Sequence, residues 1–275
     1  MTEARGGLRV LIVNDDGIDE PGIKLLEEIA LGFSDDVWVV APDEERSGAS
    51  HAISVSHPIR YTRRDERHFA VRGTPTDCAL LGINNFLEGR KPDILLSGIN
   101  AGPNLAEDVH YSGTCAAATE GALLGIPSIA ISQMRAYGKP TLWEASQTHL
   151  PTILARLLAT SWQPGSFVNI NVPNLPAAEI TGISVTRQGQ RLPGGFRPVE
   201  RIDERMVPYF WIKICPNLAE LIPGTDLHAI AHGAISITPM QLDLTNHQVR
   251  DALAEIFDAG ENLTGPVLAA AGACI

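Results

Sequence analysis

Two adjacent acids follow the first apolar run of the sequence. In VLIVNDDGID, four aliphatic residues lead through Asn14 to Asp15 and Asp16. Two carboxylates at the end of a buried strand repel each other and lose hydration, and a bound cation relieves both penalties. Hard divalent cations such as Mg²⁺ and Mn²⁺ prefer oxygen ligands. The pair therefore indicates a metal site, with the capping of a turn or of the next helix as the simpler alternative.

Two further polar stretches follow predicted strands and offer neutral oxygen ligands. APDEERSGAS contains Ser47, and SGINAGPN contains Asn100. Taken singly, Ser47 is typical of a loop hydroxyl and Asn100 of a turn residue. In an open parallel sheet, however, ligands bind beyond the carboxyl ends of the strands. We therefore expect Ser47 and Asn100 to complete the ligand set of Asp15 and Asp16.

A second candidate site lies in HYSGTCAAATEGALLG. Ser112, Gly113 and Thr114 stand at the predicted start of a helix. Unpaired backbone amides and the positive end of the helix dipole make such a turn suitable for an anion, of which phosphate is the obvious candidate. The alternative is that Ser112 or Thr114 is only an N-cap. A metal site and an anion site at one edge of a sheet favour the functional interpretation.

The elements that must position these residues alternate between strand and helix. Apolar runs predict strands at 8–13, 37–41, 93–96, 127–132 and 167–172, and helical periodicity predicts helices at 22–33, 75–87, 114–124 and 143–159. An extended hairpin is predicted within 52–71 and a long polar loop at 98–113. The pattern predicts an α/β fold with a Rossmann-like, mostly parallel sheet, flanking helices and a C-terminal β-rich appendage or arm.

The chain divides by pattern into four predicted parts. Residues 1–180 form the Rossmann-like catalytic core, and residues 181–240 form a β-rich appendage used in oligomerisation. Residues 241–258 contain a closing helix, and the Gly/Ala-rich residues 259–275 form a flexible tail.

Composition excludes several classes of protein. The 275 residues include 21 Lys and Arg against 32 Asp and Glu, for a net charge of -11, so duplex nucleic acid is not an expected partner. The four cysteines are widely spaced, which is typical of reduced thiols rather than a disulfide scaffold. No apolar run has the roughly 20 residues of a membrane helix, and the first strand leaves no room for a signal peptide. A cytoplasmic location without membrane attachment is expected.

Several motifs together resemble one known family. They are VNDDGIDEPGI, VVAPDEERSGASHAIS, GTPTDC, DILLSGINAGPNLAEDVHYSGTCAAATEG, NINVP and SITPMQLDLT, in this order. Their joint pattern resembles the survival protein SurE family. The resemblance implies a metal-dependent 5'-nucleotidase that hydrolyses nucleoside 5'-monophosphates to nucleoside and phosphate, with 3'-nucleotides and short polyphosphate left open. It also implies one Mg²⁺ or Mn²⁺ per subunit and a homodimer or homotetramer.

The resemblance assigns roles to particular residues. It places the metal ligands at Asp15, Asp16, Ser47 and Asn100, the same four that the strand ends indicate. It places phosphate recognition at Asn104 and at the turn formed by Ser112, Gly113 and Thr114. Asp15 and Asp16 are the expected catalytic residues, with Asp16 preferred as the acceptor of the water's proton.

Two alternatives share parts of this pattern. A receiver-like signalling domain also binds Mg²⁺ through adjacent acids, but it would need a phosphoacceptor Asp where KPDILLSGIN has Ser97 and Gly98. A haloacid-dehalogenase-type phosphatase would need an Asp-x-Asp motif, whereas Asp15 and Asp16 are adjacent.

Overall fold

The computed structural model describes residues 7–135, 138–215 and 220–257. The strands are β1 (Arg9–Val13), β2 (Asp36–Pro42), β3 (Arg60–Arg63), β4 (His68–Arg72), β5 (Ile94–Ala101), β6 (Ser128–Gln133), β7 (Ser166–Val172), β8 (Gly182–Val185), β9 (Phe196–Ile202), β10 (Pro208–Ile214) and β11 (Ala234–Gln241). The α-helices are α1 (Pro21–Leu31), α2 (Pro75–Leu81), α3 (Gly113–Leu123), α4 (Glu144–Leu158), α5 (Asp226–Ala231) and α6 (His247–Phe257). A π-helical turn, Gly82–Phe86, extends α2, and short 3-10 helices lie at Ala106–His110 and Ala177–Glu179.

Nine strands form one mostly parallel sheet in the order β3-β4-β2-β1-β5-β6-β7-β11-β8. The central strands β2, β1, β5, β6 and β7 run parallel, so their carboxyl ends meet at one edge. Strand β2 lies on one side of β1 and strand β5 on the other, so the connections from the central strands leave in opposite directions. This topology opens a crevice at the carboxyl ends of these strands. The predicted Rossmann-like α/β fold is confirmed.

Helices cover both faces of the sheet. Val10 and Ile12 of β1 pack in a cluster with α1 and α4, whereas Leu11 and Val13 pack in a second cluster with α2. Alternate residues of one strand are thus buried on opposite faces, which explains why β1 is a continuous apolar run. The strand end is held between two layers of core, and a charged residue that follows it loses much of its hydration.

The predicted hairpin within 52–71 is confirmed, since β3 and β4 pair antiparallel before β4 joins β2.

The predicted polar loop at 98–113 is wrong in part. Strand β5 continues to Ala101, and a 3-10 helix follows at Ala106–His110. The strand continues because its register with β6 shifts between Ser97 and Asn100, at a β-bulge. Gly98 has a φ of +140°, and an added Cβ would lie 2.3 Å from the Ile131 carbonyl oxygen, so only glycine fits there.

The segment predicted as a β-rich appendage contributes to two sheets. Strands β8 and β11 extend the main sheet, with β11 antiparallel to β7, whereas β9 and β10 form a separate two-stranded antiparallel sheet.

The main compact unit ends at Leu242, and α6 belongs to a second unit. The predicted tail at 259–275 lies outside the described residues. Among the described helices, none combines the length and apolar character needed to span a membrane.

Candidate active site

The paired acids lie in a tight turn at the carboxyl end of β1. The buried Asn14 closes this turn, because its side-chain nitrogen donates to the Gly17 carbonyl at 2.7 Å and its oxygen accepts from the Gly17 amide at 3.3 Å. Gly17 has a φ of +121°, in the region that favours glycine. The NDDG motif is therefore a turn whose own residues fix the backbone that presents Asp15 and Asp16.

Asp15 joins three elements at the edge of the sheet. The residue is 4% exposed, and its Oδ1 accepts a hydrogen bond from the Thr114 hydroxyl of α3 at 2.6 Å. Its backbone carbonyl accepts from the Arg46 amide, in the loop after β2, at 2.8 Å. The ends of β1 and β2 and the start of α3 therefore meet at this residue.

Asp16 lies beside the end of β5. Its Oδ2 accepts from the Ala101 backbone amide at 2.9 Å, which places the carboxylate next to Asn100 in the chain. The Asn100 side-chain nitrogen donates to the Gly102 carbonyl at 2.8 Å. The remaining polar atom of this side chain, its Oδ1, is the one able to bind a cation.

Ser47 is exposed in the loop after β2, and its hydroxyl donates to Glu45 at 2.8 Å. A hydroxyl that donates keeps its oxygen lone pairs for a cation. Two contacts fasten this loop: the Ser50 hydroxyl donates to the His110 carbonyl at 2.7 Å, and His51 contacts the buried Glu120 of α3 at 2.8 Å. The structure thus brings the loop that carries Ser47 to the same edge as Asp15.

The first turn of α3 packs directly on Asp15. A Cβ added to Gly113 would lie 2.8 Å from the Asp15 Cβ and 2.9 Å from Pro75 Cγ, so this approach requires glycine. Ser112 is the N-cap and accepts from the Cys115 amide at 3.0 Å, as the capping alternative predicted. The Thr114 hydroxyl donates to Asp15, whereas among the described residues the Ser112 hydroxyl only accepts, so Ser112 keeps its proton for an anion at this turn.

Asn104 is buried in a network of amide side chains. Its side-chain nitrogen donates to Ser132 at 2.7 Å, its amide donates to Asn171 at 2.8 Å, and its carbonyl accepts from Asn169 at 2.8 Å. These bonds tie the loop after β5 to the ends of β6 and β7. Asn169 and Asn171 were not predicted from the sequence, although the alternation in NINVP places both on one face of β7.

The surroundings disfavour negative charge on both acids. Burial raises the pKa of Asp15 to about 6, against the Thr114 hydrogen bond and with the help of the Asp16 charge. Burial also raises the pKa of Asp16, and the charges of Glu45 and Glu20 act in the same direction.

The described residues contain no group of three or more His, Cys, Asp or Glu side chains able to hold a metal. A metal at this edge would therefore rely on the two carboxylates together with neutral oxygens.

In the absence of a cation, ionised Asp15 should destabilise the folded chain. Its pKa is about 6 when folded, against an ordinary 3.8, so the folded state holds the proton more tightly. The free energy of unfolding should therefore fall as the pH rises through this interval, by up to about 3 kcal/mol. Asp15→Asn lacks this effect, so denaturant titrations in EDTA should show the variant gaining stability relative to the wild type as the pH rises. If the difference in the free energy of unfolding between the two proteins stayed constant between pH 3.8 and about 6, the raised pKa of Asp15 would be contradicted.

The comparisons with known proteins agree with this geometry. The sequence model of the family described as survival protein SurE matches residues 10–194. The chain belongs to the SurE family. The crystal structure of the SurE protein from Aquifex aeolicus superposes with a TM-score of 0.78 at 40% identity, covering 90% of this chain and 99% of that one.

Curated SurE relatives match over nearly their whole length. A protein of Paramagnetospirillum magneticum is 49% identical over 250 residues, which are 91% of this chain and 96% of the relative. One of Methylocella silvestris is 47% identical over 244 residues, with 87% and 95% covered. Both relatives are named 5'-nucleotidase SurE. Membership of the SurE family sets aside the receiver-like and dehalogenase-type alternatives.

Proposed function

We propose that this SurE-family chain is a metal-dependent 5'-nucleotidase that hydrolyses nucleoside 5'-monophosphates to nucleoside and phosphate. The observation that carries the proposal is the pair of desolvated carboxylates, Asp15 and Asp16, of which Asp15 packs against the first turn of α3. The names of the curated relatives support the same reaction. A signalling role would leave this combination of an acidic pair and an adjacent helix start unexplained.

We assign one divalent cation per subunit, Mg²⁺ or Mn²⁺, to Asp15, Asp16, Ser47 and Asn100. The donor set fits a hard cation, since it consists of two carboxylates and two neutral oxygens. The raised pKa values of Asp15 and Asp16 support the assignment, because a cation offsets both their mutual repulsion and their lost hydration. The metal, when bound, would polarise the phosphoryl group and lower the pKa of a coordinated water.

We assign phosphate binding to Asn104 and to the turn formed by Ser112, Gly113 and Thr114. The Gly113 amide and the Ser112 hydroxyl would donate to the equatorial phosphate oxygens and stabilise the charge that these oxygens gain during hydrolysis. Ser112 holds this turn as its N-cap, and Asn104 holds the neighbouring loop to the sheet. Asp16, less buried than Asp15, is the acceptor that we assign to the proton of the attacking water.

We further infer that the chain forms a homodimer or homotetramer through β10, the second strand of the hairpin of β9 and β10. This strand carries large apolar side chains that are exposed in the isolated chain, among them Phe210 and Trp211. Exposed apolar surface of this kind marks interaction sites.

A substrate panel tests the proposed reaction. Phosphate release in the presence of Mn²⁺ would be measured from 5'- and 3'-nucleoside monophosphates, from short polyphosphate and from a phosphodiester as the negative control. We expect release from the 5'-monophosphates, because the proposed site binds a terminal phosphate through its non-bridging oxygens. A phosphodiester has one such oxygen fewer. Hydrolysis of the diester with none of the monoesters would overturn the proposed function, as would the absence of release from every substrate.

A further inference from the structure

An exposed aromatic pair adjoins the proposed phosphate turn. Tyr111, which immediately precedes Ser112, is 50% exposed, and Phe196, the first residue of β9, is 46% exposed. Their ring centroids are 4.9 Å apart with the planes inclined at 63°, an edge-on contact. The proposed reaction assigns no role to either ring.

Bonds to the 3-10 helix at Ala106–His110 hold both sides of this pair. The Arg191 guanidinium binds both carboxylate oxygens of Asp108, at 2.9 and 2.8 Å, and its backbone amide donates to Glu107 at 2.8 Å. The Asp108 carbonyl accepts from the Tyr111 amide at 3.0 Å. Asp108 therefore fixes the backbone of Tyr111 and also anchors the segment that leads to Phe196.

The backbone of Tyr111 is also tied to the loop that carries Ser47. Its carbonyl accepts from the Ser50 amide at 3.2 Å, and the neighbouring His110 carbonyl accepts from the Ser50 hydroxyl. The aromatic pair thus stands where the loop after β2, the start of α3 and the start of β9 come together. Because these bonds hold the backbone of Tyr111, its half-exposed ring is pre-organised for a flat apolar ligand, with Phe196 in edge-on contact.

We propose that Tyr111 and Phe196 form a stacking wall for the base of the nucleotide substrate. The inference rests on the proposed function, because it takes the phosphate to lie at the adjoining turn of Ser112–Thr114. A nucleoside monophosphate has one ribose between its phosphate and its base, so a base-binding surface must stand close to the phosphate site. Aromatic side chains stack on any base, since every base has a π face. The wall therefore favours nucleotides over simple phosphate esters without selecting one base strictly.

Arg191 is a positioning residue in this arrangement. It binds Asp108 and Glu107, and it acts on the base only through the positions of Tyr111 and Phe196. Arg191→Lys keeps the charge but loses the two-pronged contact, because a lysine ammonium is a single point charge. We expect this variant to raise KM for AMP and to change KM for ribose 5-phosphate much less.

The test compares a substrate with a base and one without. For AMP (adenosine 5'-monophosphate) and ribose 5-phosphate, kcat and KM would be measured with Mn²⁺ for the wild type, Tyr111→Ala and Tyr111→Phe. Tyr111→Ala should raise KM for AMP by about 5- to 150-fold, the range for loss of one stacked base. Its effect on ribose 5-phosphate should be much smaller, and Tyr111→Phe should retain the wild-type preference. An equal rise in KM for both substrates, or an unchanged KM for AMP, would overturn the proposed stacking wall.

Tyr61→Ala provides a matched control. Tyr61 is 55% exposed and contacts Phe86 at a centroid distance of 4.8 Å, much as Tyr111 contacts Phe196. It lies on β3, at the edge of the sheet, rather than at the proposed phosphate turn. Truncating it removes an equally exposed tyrosine and an equivalent ring contact, so the ratio of kcat/KM for the two substrates should stay at the wild-type value.

A binding measurement separates failure of the wall from failure of the proposed function. The fluorescence of 2-aminopurine riboside 5'-monophosphate, titrated with the protein and Mn²⁺, would report stacking without turnover. Quenching that is lost in Tyr111→Ala supports the wall even if the wild type releases no phosphate, an outcome that would overturn only the hydrolytic function. Phosphate release from AMP without quenching would overturn the wall and leave the function intact.

Discussion

Replacing Asp16 with Asn will lower kcat/KM for AMP by at least about 100-fold. The substitution removes one of the two negative charges assigned to the metal and also the group assigned to the water's proton. The metal is worth several kcal/mol of transition-state stabilisation, and each 1.36 kcal/mol is a factor of ten in rate. The fold should survive, because an Asn oxygen can still accept the hydrogen bond of 2.9 Å from the Ala101 amide.

Asp19→Asn is the matched control for this variant. Asp19 lies three residues later in the same acidic segment, but its side chain is exposed and its partner is Arg64, at 3.3 Å on the surface. Its replacement should change turnover little, because exposed pairs contribute little energy. Initial rates and Mn²⁺ titrations of the two variants would be measured together. Wild-type turnover and wild-type metal affinity in Asp16→Asn would show that this residue is neither a metal ligand nor a base.

Gly113→Ala will lower kcat/KM for AMP by about 100-fold with no change of charge. The added methyl group would lie 2.8 Å from the Asp15 Cβ, 2.9 Å from Pro75 Cγ and 3.0 Å from the Asp15 Oδ2. Asp15 or the first turn of α3 must therefore shift, and the proposed metal and phosphate sites must move apart. A displacement of about 1 Å at a catalytic site costs a factor of this size.

Gly32→Ala tests whether the loss in Gly113→Ala reflects position rather than crowding. Gly32 follows α1, and its added Cβ would lie 2.9 Å from the Ile29 carbonyl oxygen, so the steric conflict is similar but lies outside the candidate site. Both variants should lose stability, whereas only Gly113→Ala should lose activity per folded molecule. Equal activity in the two variants would contradict the close packing of α3 on Asp15 as a requirement for catalysis.

The sequence predicted the elements that depend on local pattern. The continuous apolar run of β1 indicated a strand buried on both faces, and its abrupt change to NDDG indicated where the strand ends. Because parallel strands end at one edge, the grouping of Asp15 and Asp16 with the loops after β2 and β5 followed from topology alone. The contacts of Asp15 with Arg46 and of Asp16 with Ala101 bear out this grouping. Metal binding and phosphate binding at these residues stay predictions.

The features that the sequence did not predict depend on contacts between distant parts of the chain. The β-bulge that lets β5 continue to Ala101 reflects the close approach of Gly98 to Ile131 of β6. The amide network around Asn104 needs Asn169 and Asn171, more than sixty residues later. The division of 181–240 between the main sheet and the hairpin of β9 and β10 is likewise set by strand pairing. Local periodicity carries no information on any of these pairings.

Phosphate release from AMP would be measured first in EDTA and then after restoration of Mn²⁺ or Mg²⁺. If Asp15 and Asp16 are adjacent in order to bind a divalent cation beside a phosphate, release should stop in EDTA and return with Mn²⁺ or with Mg²⁺. It should not return in Asp16→Asn at the ion concentration that restores the wild type. Release that continues unchanged in EDTA would show that the acidic pair does not act through a divalent cation.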